Sequence, residues 1–379
     1  MPPPLSLTHR KRFAEFLRAS MGKGSPAEIL RRLSETALPA PYKARLKVVY
    51  SDPSPLTAIA NLAAGSYTVH PFAPEATSFF IRPLEGQRGT TTGDIPFTVV
   101  PFDGIDSKVQ AVLTVSNTPQ WTAIKRELRF AYPRLVPVLL SQAELVTSAK
   151  ALRRETDHDV RVRSFTAKEE IATPEGKARR SVREWTDEEL DGALLHVSDR
   201  RQLITSIDLE FFPRFDNVTH VVPKATCKIR KYGEVEVTGS LSLAYNTVAR
   251  EVAQVGFSKL QFYSGRGLRE AHYRPHPLAI NYSKPLFNDV EIVRSLVATL
   301  SRYPRSMHAV QHGNPYAHLR VTDLFDYSSF DVWALPPGRL VLVPGLRASE
   351  AACERLVHYI FDYFREGDIA NYERGSTTS

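Results

Sequence analysis

The chain has 379 residues, 42% of them hydrophobic and 24% charged, with 49 Lys and Arg against 41 Asp and Glu for a formal net charge of +8. These are globular values, and the length predicts two or three packed units, which sets aside wholesale disorder. The apolar runs Leu135 to Leu140 and Arg339 to Pro344 fall far short of the ~20 residues of a spanning helix, and Cys227 and Cys353, a lone pair in different segments, give neither a metal-cluster spacing nor a disulfide framework.

Met1-Pro2-Pro3-Pro4 leads into His9-Arg10-Lys11-Arg12 without the apolar core of a signal peptide, so the expectation is a cytoplasmic protein with no membrane partner. Helices are expected over Thr8 to Ser20 and Ser25 to Ala37, the second opened by the capping-box text Ser25-Pro26-Ala27-Glu28. They form a helical arm over 1–42. A β-rich unit over 43–117 follows, with strand text at Leu46 to Tyr50, Ser78 to Ile81, Phe97 to Val100 and Val109 to Val115, and a helix at Ser54 to Ala64. Thr118-Pro119 opens a helical connector over 118–158, broken at Pro133 and Pro137. The charged stretch Lys168 to Arg183 reads as an exposed loop or hairpin tip.

From there the pattern repeats. In 159–262, Thr186 starts a helix to Arg200, Leu203 to Phe212 is a strand, and Ala225 to Arg230 and Glu234 to Thr238 make a hairpin through Tyr232-Gly233. A helix with Ala244, Val248, Val252 and Val255 on one face follows. In 263–367, the order is a strand at Leu278 to Tyr282, a helix at Phe287 to Leu300, strand text from His308 to Val321, a hairpin through Pro336-Pro337-Gly338, and a helix capped by Ser349. Residues 368–379 read as a disordered tail. The fold class is α+β: duplicated, curved antiparallel sheets, each backed by a long helix, behind a β-rich unit and a short helical arm.

The text Tyr232 to Gly239 before a helix, with Gly338 to Gly345 as its looser copy, resembles the half-repeat of the TATA-box-binding-protein-like fold. That resemblance implies nucleic-acid contact through strand faces. It departs from the family where inserted phenylalanines belong, because Cys227-Lys228-Ile229-Arg230 and Val332-Trp333-Ala334-Leu335 occupy those strands.

Alternation puts Lys224, Thr226, Lys228 and Arg230 on one strand face, where they are able to track phosphates or to pair with Glu234 and Glu236 across the hairpin. The loop Ser264-Gly265-Arg266-Gly267-Leu268-Arg269 with His272, Tyr273 and Arg274 offers guanidinium donors and a stacking ring. Candidate nucleic-acid contacts are therefore Lys228, Arg230, Lys231, Arg266, Arg269, Tyr273 and Arg274. His308, His312, His318, Asp323 and Asp326 form the best enzyme-like group, and Asp208 and Glu210 share a strand face that suits Mg²⁺ or simply solvent. Gly22-Lys23-Gly24-Ser25 lacks P-loop spacing, and no cofactor or metal is implied. The expected role is a non-catalytic DNA- or RNA-binding subunit. The alternatives are a scaffold in a protein complex, favoured by the apolar hairpin Phe330 to Val343, and a metal-assisted hydrolase.

Overall fold

In a computed structural model, the described residues are 15–16, 19–20, 24–35, 38, 42–51, 54–60, 67–71, 77–83, 94–128, 135–155, 157–169, 181–185, 202–213, 223–267, 276–312, 316–345 and 348–372. They fall into two units, Met1–Glu169 with Arg180–Ser258, and Glu170–Arg179 with Lys259–Ser379. The class is α+β, with an antiparallel sheet in each unit.

The first unit opens with α1 (Pro26–Ser34), whose N-cap Ser25 accepts from the Glu28 N–H as the sequence predicts. Then come β1 (Lys43–Tyr50), α2 (Pro55–Ala60), β2 (Tyr67–Pro71), β3 (Ser78–Pro83), β4 (Ile95–Pro101), β5 (Val109–Ser116) and α3 (Thr118–Glu127). A second passage follows, with β6 (Val136–Pro137), α4 (Gln142–Glu155), β7 (His158–Glu169), β8 (Ser181–Trp185), β9 (Gln202–Pro213), β10 (Ala225–Arg230), β11 (Glu234–Gly239) and α5 (Leu241–Ala244). A π-helical turn, Tyr245–Ala249, then joins α5 to α6 (Arg250–Tyr263), whose last residues, from Lys259 on, belong to the second unit. All these strands belong to one sheet, in the order β2-β3-β4-β5-β1-β11-β10-β9-β7-β8, with β6 beside β1. The segments 43–117 and 159–262, read separately in the sequence, thus share one sheet through the β1–β11 pair.

The two faces of this sheet divide the helices. Val49, Phe79, Ile81, Ile95, Phe97, Val99 and Val112 share one face and form a core with Ile59 of α2 and Trp121, Ile124 and Leu128 at α3. On the opposite face Ala225, Cys227, Ile229, Val235 and Val237 are buried, and α5 runs against β10 and β11 there while α4 meets β7 and β9. Ala244, Val248 and Val252 are buried as the helical spacing predicts. Gly233 makes the β10–β11 turn at φ +65, with the carbonyls of Val48 and Val138 only 2.9 Å from where a Cβ would sit.

The second unit contains β12 (Leu278–Asn281), a 3-10 turn at Leu286–Asn288, α7 (Val290–Leu300), β13 (Ser306–His312), β14 (Ala317–Asp323), β15 (Ser329–Leu335), β16 (Arg339–Pro344), α8 (Glu350–Tyr363) and β17 (Asp368–Asn371). Its sheet order is β13-β14-β15-β16-β12-β17. The route strand, helix, four strands in spatial sequence, then a return beside the first strand and a closing helix also describes β1 through α3. Ser349 caps α8 by accepting from the Ala352 N–H.

Two expectations are corrected. The connector is not helical throughout, because Val136 and Pro137 pair with Tyr50 and Val49; proline is tolerated in so short a strand. The tail is ordered at its start, because β17 pairs with β12 along Leu278–Asn281, and tertiary pairing overrides the low strand propensity of Asp and Asn. The Thr186 to Arg200 helix, most of the Thr8 to Ser20 helix and the tip of the β7–β8 hairpin lie outside the described residues. No helix among the described residues is long and apolar enough to cross a membrane.

Candidate functional site

Strand pairing in the first unit gathers charge from distant parts of the chain. Lys43, Arg45 and Lys47 alternate along β1, and the register sets Arg45 beside Glu236 and Lys47 beside Glu234 of β11. The next strand sets Lys228 beside Glu236 and Arg230 beside Glu234, and β9 then sets Asp208 beside Lys228. Basic, acidic, basic and acidic strands follow one another on a single face.

The contacts follow that order. Lys43 Nζ lies 2.6 Å and Arg45 Nη2 3.3 Å from Glu236, while Lys47 lies 3.4 Å from Glu234. Lys125 of α3 reaches Glu234 at 3.1 Å, and the Trp121 indole Nε1 donates to it at 3.3 Å, so α3 is pinned to the end of the charged face. Arg230 stands 3.9 Å from Glu234 and 3.7 Å from Glu236. Lys228 meets Asp208 at 3.4 Å, and the Ser164 hydroxyl donates to Asp208 at 2.6 Å. Arg163 of β7 adds a pair to Glu210 at 3.5 Å. Burial alone would raise the Glu234 carboxyl, but Lys47, Lys125 and the Trp121 hydrogen bond hold it below the usual range. Glu236 behaves alike: burial opposes its charge, and Lys43, Arg45 and Arg230 more than offset that.

Cross-strand pairing therefore engages Lys228 and Arg230. Apart from the Arg163–Glu210 pair, a surplus remains among the described residues, because Lys43, Arg45, Lys47, Lys125, Lys228 and Arg230, six cations, pair with three carboxylates, Asp208, Glu234 and Glu236. Lys43 and Arg230 keep the most solvent contact of the six.

The other predicted contacts lie elsewhere. Lys231 is 4% exposed. Arg266 is 5% exposed, and its guanidinium serves the fold: Nε donates to the Phe262 carbonyl at 2.7 Å, Nη1 to those of His276 and Pro277 at 3.0 and 3.2 Å, and Nη2 to Asn371 Oδ1. It lies over the Phe262 ring and ties the end of α6 to the strands β12 and β17. A guanidinium held this way faces protein rather than phosphate. Arg269, Tyr273 and Arg274 fall outside the described residues. The β15–β16 hairpin, apolar in sequence, spends Phe330, Val332, Ala334, Leu340 and Leu342 on the core of the second unit.

The histidine and aspartate group does not converge. Asp323 is buried on the helix-covered face, accepting from Tyr303 Oη at 3.0 Å and Arg355 Nε at 2.8 Å, and Arg355 also reaches Asp326 at 2.8 Å. Burial opposes the Arg355 charge, and the two aspartates reverse that effect and raise its pKa. This network fastens α8 to the β14–β15 turn. On the opposite face His318 stacks on Trp333 with ring centroids 3.6 Å apart, and its Nε2 lies 3.4 Å from Asp331. His308 and His312 sit on the exposed strand β13. No group of three or more His, Cys, Asp or Glu is placed to hold a metal ion among the described residues.

Lys43, Arg45, Lys47 and Lys125 are residues of this face that the sequence analysis does not name. The spacing i, i+2, i+4 of the three β1 cations was the available signal. No family model and no curated protein matches this chain.

Proposed function

We propose that this protein binds nucleic acid, DNA or RNA, in a non-catalytic role, through the charged face of its first unit. The observation that carries the reading is the excess of cations over carboxylates on one strand face among the described residues, six against three beside the Arg163–Glu210 pair. Internal pairing fixes the side chains in register, and the uncompensated charge is what a polyanion gains from by releasing counterions. The net charge of +8 points the same way. Resemblance to the TATA-box-binding-protein-like half-repeat belongs to the same proposal. It is supported by the element order of the second unit, in which α7 and α8 both back one face of the sheet.

The test is fluorescence anisotropy with labelled single- and double-stranded oligonucleotides across a salt series, for the wild type and for Lys43→Ala/Arg230→Ala. Binding should weaken with salt, and the double substitution should flatten the log–log salt slope by about one to two phosphate contacts. Absence of binding to every oligonucleotide at low salt would overturn the reading and favour a protein partner, for which the exposed edge strand β13 offers a pairing surface.

A further inference from the structure

The sheet of the second unit has one face packed by its helices and one that they leave. Arg355 of α8 contacts Asp323, and Tyr359 of α8 donates to the Thr299 carbonyl of α7, so both helices lie on the side of Asp323, Leu319 and Val321. Alternation sends His318 and Arg320 of β14 and Asp331 and Trp333 of β15 to the opposite side. There the register aligns His312, His318, Trp333 and Val341 across four strands. Exposure rises along that row, from Val341, which is buried, through half-buried Trp333 and His318, to Tyr316 at 36% and exposed His312.

The rings are in contact with one another. His312 and Tyr316 centroids are 4.6 Å apart, Tyr316 and Trp333 5.9 Å, and His318 and Trp333 3.6 Å with planes within 10°. They make one chain of rings across the antiparallel sheet, with His318 and Trp333 stacked on each other and the two pairs that Tyr316 forms tilted by 34–35°. Beside it Arg320 is exposed and forms no ion pair among the described residues, while Asp331 is already engaged by His318. An aromatic cluster whose outer rings, Tyr316 and His312, are exposed, with a spare guanidinium at its rim, suits a ligand that is itself π-faced and anionic.

We propose that this row, Tyr316, His318 and Trp333 with His312 and Arg320, is a stacking platform for unpaired bases of a single strand. The proposal rests on the nucleic-acid reading above and narrows it to a single-stranded substrate held at a second surface. Aromatic side chains on a sheet face stack bases without regard to sequence, whereas bases stacked within a duplex are not available to them. Arg320 supplies the phosphate contact that fixes the strand over the rings.

The test compares two single-stranded oligonucleotides of equal length and charge, one bearing bases and one abasic, together with a duplex, against wild type, Tyr316→Ala, Trp333→Phe and Trp333→Ala. The wild type should prefer the base-bearing strand to the abasic one. Tyr316→Ala and Trp333→Ala should each lower that affinity about tenfold while leaving abasic and duplex binding unchanged. Trp333→Phe should retain most of it, and unchanged abasic and duplex binding by the alanine variants separates lost stacking from lost folding. Tyr316 is partly exposed, so its removal spares the core. Equal binding of base-bearing and abasic strands would overturn the platform and leave the charged-face reading standing, with an apolar protein segment as the occupant to test. Failure of every oligonucleotide to bind would overturn both.

Discussion

Glu234→Gln tests the charged face from both sides. Glu234 is 8% exposed, accepts from Lys125 Nζ at 3.1 Å and Trp121 Nε1 at 3.3 Å, and lies 3.4 Å from Lys47. Glutamine offers one acceptor oxygen in place of two, so one donor loses its partner and both lysines lose their counter-charge. Because the lysines retain some access to water, the cost falls below that of breaking a fully buried pair, at about 2 kcal/mol. With an m-value of about 2 kcal/mol/M, the urea midpoint should fall by about 1 M. Hydrogen exchange of the 118–127 segment would assign that loss to α3. Binding should move the opposite way. The surplus on the face rises from three to four, and the log–log salt slope should steepen by about 0.7 for single strands or 0.9 for duplex. An unchanged midpoint would refute the pinning of α3 through Glu234, and an unchanged or shallower slope would refute the face as a polyanion surface.

Arg266→Ala should destabilise the second unit by about 3 kcal/mol, since it leaves three carbonyls and Asn371 without their donor, yet leave the salt slope unaltered; a flattened slope with unchanged stability would assign Arg266 to the ligand instead. Glu234, Glu236 and Asp326 have folded pKa values below their ordinary ones, so the unfolded chain binds protons more readily. Their contribution is present above about pH 4.3 and is lost as pH falls through the folded values, and urea midpoints that stay flat from neutrality to pH 3 would contradict it. Cys227 and Cys353 are buried thiols whose pKa values burial pushes up, that of Cys353 to about 12. Iodoacetamide should leave both unmodified in the native protein and label both in urea, and rapid native labelling would show that one of them is accessible.

Local text was legible where local physics decides. Ser25 and Ser349 cap their helices because a side-chain oxygen three residues ahead of a free N–H is sufficient, and the alternation of β10 places Cys227 and Ile229 inside and Lys228 and Arg230 outside. The hairpin register even made Glu234 and Glu236 readable as partners for those cations. What was not legible depends on partners far along the chain. Nothing near Lys43, Arg45 and Lys47 announces that β11 will lie beside them, and β6 and β17 are strands only because β1 and β12 offer an edge. The role of Arg266 was hidden for the same reason: an arginine between two glycines has the same local text whether it meets a phosphate or three backbone carbonyls.

The central place of β1 bears on how the chain is made. Its partner β5 is translated soon afterwards, but the residues that complete its other side arrive late: Lys43 and Glu236 are 193 positions apart. At about 5–20 residues per second, roughly 10–40 s pass between them on the ribosome. During that interval β1 presents an unpaired edge in the middle of the future sheet, partly shielded once Val136 and Pro137 emerge. The first unit is therefore a late and slow folder, governed by pairing between distant segments.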